Sequence, residues 1–208
     1  MKKIVFLGDS ITDMARDRKL EILPYAMGTG YVFFLDSYLR EKYPDEYEVY
    51  NKGISGNRTV DLYARIKSDV WNLNPDVLSI LIGTNDVWHE LPPGNNGVEI
   101  DRYEVTLKNI ISETQARFPN IKIILMGCFV LDGSATTENW ETLKKIKEYA
   151  KVSEKIARER GVTFIPLQSQ FDEMSKKYGS TALLYDGVHP TSLGSKIIAE
   201  NWIKYFEK

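Results

Sequence analysis

The sequence predicts a three-layer α/β/α sandwich built on a mostly parallel five-stranded sheet, and three observations carry that expectation. Short apolar runs recur along the chain, longer segments of helical period separate them, and glycine-bearing polar loops follow several of the runs. Strands joined through helices are held to right-handed crossovers, which makes neighbouring strands parallel and covers both faces of the sheet. The 208 residues show no repeat, no low-complexity stretch and no linker-like break in composition, so residues 1–208 read as a single domain.

The first run, Ile4 to Leu7, is followed by Gly8-Asp9-Ser10, and the second, Tyr47 to Asn51, by a polar loop reaching Asn57. Val77 to Ile82, Ile121 to Met126 and Val162 to Ile165 complete the set, each apolar enough for a strand buried on both faces. Tyr103, Leu107, Ile110, Ile111, Thr114 and Phe118 recur at the spacing of a helix with one buried stripe, and Leu143, Ile146, Ala150 and Ile156 do so more loosely. Ile197, Ile198, Asn201, Trp202 and Tyr205 place a terminal helix over Thr191 to Phe206, with Pro190 as its start signal.

Composition removes several function classes. Lys plus Arg (27) nearly balance Asp plus Glu (29), which leaves no positive field to gather nucleic acid or anionic lipid. No apolar run approaches a membrane span, and the run after Met1-Lys2-Lys3 is too short for a signal-peptide core, so the expected location is cytoplasmic. Cys128 ends the apolar run from Ile123 and is expected to be a buried structural thiol. There is no Walker loop, no Gly-x-Gly-x-x-Gly fingerprint and no metal-ligand spacing around His89, so neither cofactor nor metal is expected.

Ligands of open α/β sheets gather at the carboxyl ends of the strands, and four polar loops fall there. Gly8 permits a tight strand exit, and Ser10 begins a helical segment whose N-terminal N–H groups favour negative charge. A helix cap is the plain alternative for that serine. In Asp186-Gly187-Val188-His189-Pro190 the acid can reach imidazole Nδ1 and leave Nε2 to face a serine. The Gly53 N–H and the Asn85 amide are candidate donors to an oxyanion, although ordinary turn chemistry explains each taken singly.

Taken together, Gly8-Asp9-Ser10, Gly53, Gly83-x-Asn85-Asp86 and Asp186-x-x-His189 resemble the four signature blocks of the SGNH/GDSL hydrolase superfamily, over nearly the whole chain. The resemblance implies a serine esterase with nucleophile Ser10, base His189, orienting acid Asp186, and an oxyanion hole made of the Ser10 and Gly53 N–H groups with the Asn85 side chain. A Gly-x-Ser-x-Gly elbow is absent, because Thr12 stands where its second glycine would be.

The segments Ala26 to Val32, Asn51 to Asn57 and Ile82 to Trp88 are similar to acetyl xylan esterases of the intracellular bacterial kind. That similarity implies a small acylated substrate, an acetylated sugar. Trp88 beside the Asn85 block and Tyr185 before Asp186 are candidate aromatic walls for a sugar ring or a small acyl pocket, with core packing as the equal alternative, and Asp9 is a further candidate contact. The Leu91 to Gly97 loop, and Gly187 between Asp186 and His189, depart from that group's pattern. Two other readings stay open: a lysophospholipase, short-chain lipid esterase or thioesterase using the same blocks, and a non-catalytic carbohydrate-binding protein on the same fold. The aromatic segment Tyr31 to Phe34 admits burial within one subunit or packing in a homo-oligomer.

Overall fold

A computed structural model describes residues 1–208. Each expected run forms a strand: β1 (Lys2–Gly8), β2 (Tyr47–Gly53), β3 (Val77–Leu81), β4 (Lys122–Met126) and β5 (Thr163–Ile165). They make one sheet in the order β2-β1-β3-β4-β5, and every neighbouring pair is parallel.

The helices are α1 (Ser10–Asp13), α2 (Tyr31–Lys42), α3 (Thr59–Asp69), α4 (Thr84–Trp88), α5 (Ile100–Arg117), α6 (Trp140–Leu143), α7 (Ile146–Arg160), α8 (Leu167–Tyr178), α9 (Ser180–Leu183) and α10 (Ser192–Phe206). The chain leaves β1 toward β2 in one direction and runs from β2 through β3, β4 and β5 in the other. Right-handed crossovers therefore put α2 on one face and α3, α5 and α7 on the opposite one. Contacts of α2 with α10, and of α5 with both α3 and α7, agree with that division.

The terminal helix closes the first face. Trp202 of α10 is fully buried, packs on Phe6 of β1 with ring centroids 5.4 Å apart, and donates from Nε1 to Ser79 Oγ of β3 at 3.0 Å. One bond thus satisfies the indole N–H and the hydroxyl of an otherwise apolar strand. Thr191 caps the helix by accepting from the Gly194 N–H at 3.2 Å, as Pro190 just before it led one to expect. The looser stripe from Leu143 to Ile156 proves to span two helices, α6 and α7, broken at Lys144-Lys145.

Tyr31 and Val32 are buried within the subunit, whereas Phe33 is 45% exposed. Cys128 is fully buried. No helix is long and apolar enough to cross a membrane.

The register sets the site. Gly8 pairs with Gly53 on one side and with Leu81 on the other, so the loops leaving β1, β2 and β3 emerge side by side. β1 and β3 are adjacent strands whose outgoing connections run in opposite directions, the switch point at which open α/β sheets form a crevice.

Candidate active site

Asp9, and not Ser10, caps α1: its Oδ1 accepts from the Ile11 N–H at 2.9 Å. Ser10 is then the first helical residue, its N–H has no acceptor within the helix, and its hydroxyl is left for other work. Ser10 Oγ lies 2.9 Å from His189 Nε2, and His189 Nδ1 lies 2.7 Å from Asp186 Oδ2. The other Asp186 oxygen accepts from the Val188 and His189 backbone N–H groups at 2.9 and 2.7 Å. Burial alone would raise the Asp186 pKa, but these bonds and the imidazole outweigh it and hold the carboxyl below its ordinary value. An ionised Asp186 keeps the proton on Nδ1 and leaves Nε2 to accept from Ser10.

Gly187 shapes this turn. Its φ of +101° is one that glycine adopts freely, and a Cβ there would sit 2.5 Å from Thr136 Oγ1 and 2.7 Å from the Leu131 carbonyl oxygen. The segment 131–136 seats the turn, with the Leu131 N–H donating to the Gly187 carbonyl and the Ala135 N–H to the Asp186 carbonyl, both at 2.9 Å. Nothing in the local sequence of 131–136 marks it as that support.

Gly53 does not occupy the place expected of it. Its N–H donates to Asn51 Oδ1 at 2.9 Å, and a Cβ would lie 2.2 Å from the Asp13 backbone nitrogen. Its glycine identity serves close packing of β2 under α1, and its N–H is already engaged. Asn51, buried, also donates to the Thr12 and Met27 carbonyls at 2.7 and 2.9 Å, which ties β2 to the segments around the nucleophile.

The free backbone donor of that loop belongs to Gly56. It has φ +82°, faces open space, and no hydrogen bond takes its N–H. The next carbonyl, of Asn57, accepts from Asn85 Nδ2 at 3.1 Å, which occupies one amide hydrogen and leaves the second free beside this turn. Asp13 Oδ2 accepts from both the N–H and the hydroxyl of Ser55 at 3.0 Å and pins the turn to α1. The sequence singled out Gly53 in Gly53-Ile54-Ser55-Gly56; the contact of its N–H with Asn51 and the unengaged N–H of Gly56 separate the two glycines.

Of the residues expected to touch substrate, Asp9 is excluded from that role. It is 1% exposed, engaged as a cap, and burial pushes its pKa up to about 7. Tyr185 is 57% exposed and stacks on His189, with ring centroids 5.7 Å apart and an interplanar angle of 18°. Trp88 is partly buried at the end of α4 and lines a surface cavity with His89, Leu91, Pro92 and Asn96. The His189 side chain is 28% exposed.

Residues 6–197 match the model of the GDSL-like lipase/acylhydrolase family. The chain belongs to that family. An acetylxylan esterase of Geobacillus stearothermophilus is 39% identical over 209 residues, spanning 98% of this chain and 93% of the relative. Among solved structures, a GDSL-like lipase from Parabacteroides merdae superposes with a TM-score of 0.92 at 37% identity, covering 99% of this chain and 95% of the other. Axe2, an acetylxylan esterase from Geobacillus stearothermophilus, gives a TM-score of 0.88 at 37% identity, covering 100% and 94%. As a GDSL acylhydrolase the chain is a carboxylic ester hydrolase, and the expected SGNH-type α/β/α architecture is the one observed.

Proposed function

We propose that this chain is a serine esterase that removes acetyl groups from xylo-oligosaccharides. The observation that carries the chemistry is the unbroken relay from Ser10 Oγ to His189 Nε2 at 2.9 Å and from His189 Nδ1 to Asp186 Oδ2 at 2.7 Å. The substrate class rests on full-length similarity to an acetylxylan esterase.

His189 takes the Ser10 proton as the oxygen attacks the acetyl carbonyl, and the imidazolium that forms is stabilised by Asp186. The Ser10 N–H, the Gly56 N–H and the free hydrogen of the Asn85 amide receive the developing oxyanion. His189 returns the proton to the sugar oxygen as the alcohol leaves. Water, deprotonated by the same imidazole, attacks the acetyl carbon, and as the bond to Ser10 Oγ breaks His189 returns that proton to Oγ and acetate leaves. Every proton transfer is made by the chain's own groups. Tyr185, exposed beside the base, offers a flat apolar face to a sugar ring on the leaving-group side.

Initial rates on p-nitrophenyl acetate, butyrate and octanoate, together with acetate release from acetylated xylo-oligosaccharides, test this reading in wild type and Ser10→Ala. Ser10-dependent turnover confined to short esters and efficient on the sugar is the expected result. Rates that climb steadily toward octanoate would move the substrate to lipids, and equal slow hydrolysis by both proteins would remove the catalytic assignment.

A further inference from the structure

The three donors assigned to the oxyanion sit on three separate segments, and one side chain outside the site bonds two of them directly and meets the third through Asn57. Arg65 lies in α3 with its side chain only 14% exposed. Its Nε donates to Asn57 Oδ1 at 2.7 Å, its Nη1 to the Lys52 carbonyl at 2.9 Å and its Nη2 to the Gly8 carbonyl at 3.0 Å. Asp69, one helical turn further on, accepts from Nη1 at 2.5 Å and holds the guanidinium in that orientation.

Two of the three bonded residues, Gly8 and Asn57, border a donor. Gly8 ends β1 two positions before Ser10, and its carbonyl also accepts from the Ile54 N–H of the glycine loop at 3.1 Å. Asn57 directly follows Gly56, and its carbonyl is the one that accepts from Asn85 Nδ2. The Ser10 N–H, the Gly56 N–H and the Asn85 amide are therefore all linked to one planar cation through short covalent or hydrogen-bonded paths.

We propose that Arg65 is the positioning residue of the oxyanion hole, setting the mutual placement of its three donors without touching substrate. The proposal rests on the esterase reading above. A guanidinium suits the task because its donors are fixed in one rigid plane, so the end of β1 and two points along the end of β2 and its following loop are held at once; an ammonium cannot reproduce that fork. Small displacements of such donors matter, since a misplacement of about 1 Å costs on the order of a hundredfold in rate. The oxyanion exists only beyond the ground state, so the loss should fall on kcat and spare KM.

The test uses Arg65→Lys, which keeps the charge but not the fork, and Asn57→Ala, which removes one acceptor and leaves both carbonyl contacts of Arg65 in place. Each is assayed on p-nitrophenyl acetate beside wild type and Ser10→Ala, and again in an Asn85→Ala background. The expected result is a loss of about tenfold in kcat for each single variant with KM changed by less than about twofold, shrinking to less than about threefold when Asn85 is already absent. A general structural defect would lower both backgrounds by the same factor. Wild-type kcat in either variant, or equal losses with and without Asn85, overturns the proposal. Turnover by wild type that does not depend on Ser10 overturns the esterase reading itself, a result the Arg65 comparison alone could not produce.

Discussion

The Tyr185 ring lies over the His189 imidazole, centroids 5.7 Å apart and planes 18° from parallel. One face of the phenol thus restrains the base, and more than half of the residue's surface stays open to solvent. If the open face receives a sugar, Tyr185→Ala loses an aromatic contact worth about 1 kcal/mol and raises KM for an acetylated xylo-oligosaccharide about fivefold. KM for p-nitrophenyl acetate, which carries no sugar, should stay within about twofold. Equal changes on both substrates would assign Tyr185 to holding His189 alone.

Gly53 and Gly56 respond differently to a methyl group. At Gly53 the Cβ would lie 2.2 Å from backbone that cannot move without shifting α1, so Gly53→Ala should lose about 3 kcal/mol or fail to fold. At Gly56 nothing lies within 4 Å, and the only cost is a left-handed φ of +82°, about 1–2 kcal/mol for alanine. Gly56→Ala should therefore fold with a modestly lower melting temperature, while its kcat falls because the N–H turns away from the carbonyl under attack. A folded Gly53→Ala protein with reduced kcat and unchanged melting would restore Gly53 as the donor.

Asn85 has a bonded hydrogen and a free one, which gives its substitution a defined outcome. Asn85→Ala removes the donor to the oxyanion and should lower kcat about a hundredfold or more with little change in KM. The same variant leaves the Asn57 carbonyl without its partner at a part-buried position, so thermal unfolding should show a loss of about 1 kcal/mol. Steady-state kinetics and a melting curve on one preparation separate the two effects.

Much of this could be read from the sequence, for identifiable reasons. Strands buried on both faces leave continuous apolar runs, and the Asp186-x-x-His189 contact is local, so β1 to β5 and the acid–base pair were visible without coordinates. Helices α2, α3 and α8 were not read: α3 buries only Thr59, Leu62 and Ile66 and α8 only Leu167 and Phe171, while α2, which buries Tyr31, Val32, Leu35 and Leu39, opens on a run that reads as an aromatic segment. Asp9 stood as a candidate substrate contact, whereas its fate is decided by burial, a three-dimensional property that the sequence does not print. Contacts of long sequence separation, such as Arg65 to Gly8 or Thr136 to the Gly187 turn, leave no periodic trace at all.

Asp9 also makes stability depend on pH in a direction opposite to that of a salt-bridged acid. Burial raises its pKa from 3.8 to about 7 in the native state, and the nearby Asp86 adds to the rise. Between those values the native chain holds a proton that the unfolded chain has lost, so stability decreases as pH rises and levels off above about 7. At about 1.4 kcal/mol per pKa unit, the ionised group costs on the order of 4 kcal/mol at alkaline pH and nothing below the unfolded value. Asp9→Asn keeps an oxygen to accept from the Ile11 N–H and cannot ionise. It should melt several degrees above wild type at about pH 8 and at the same temperature near pH 4, as measured by calorimetry across the range. Parallel melting curves for the two proteins over that whole span would show that Asp9 ionises in the native state without cost, and that its burial is offset by groups other than a bound proton.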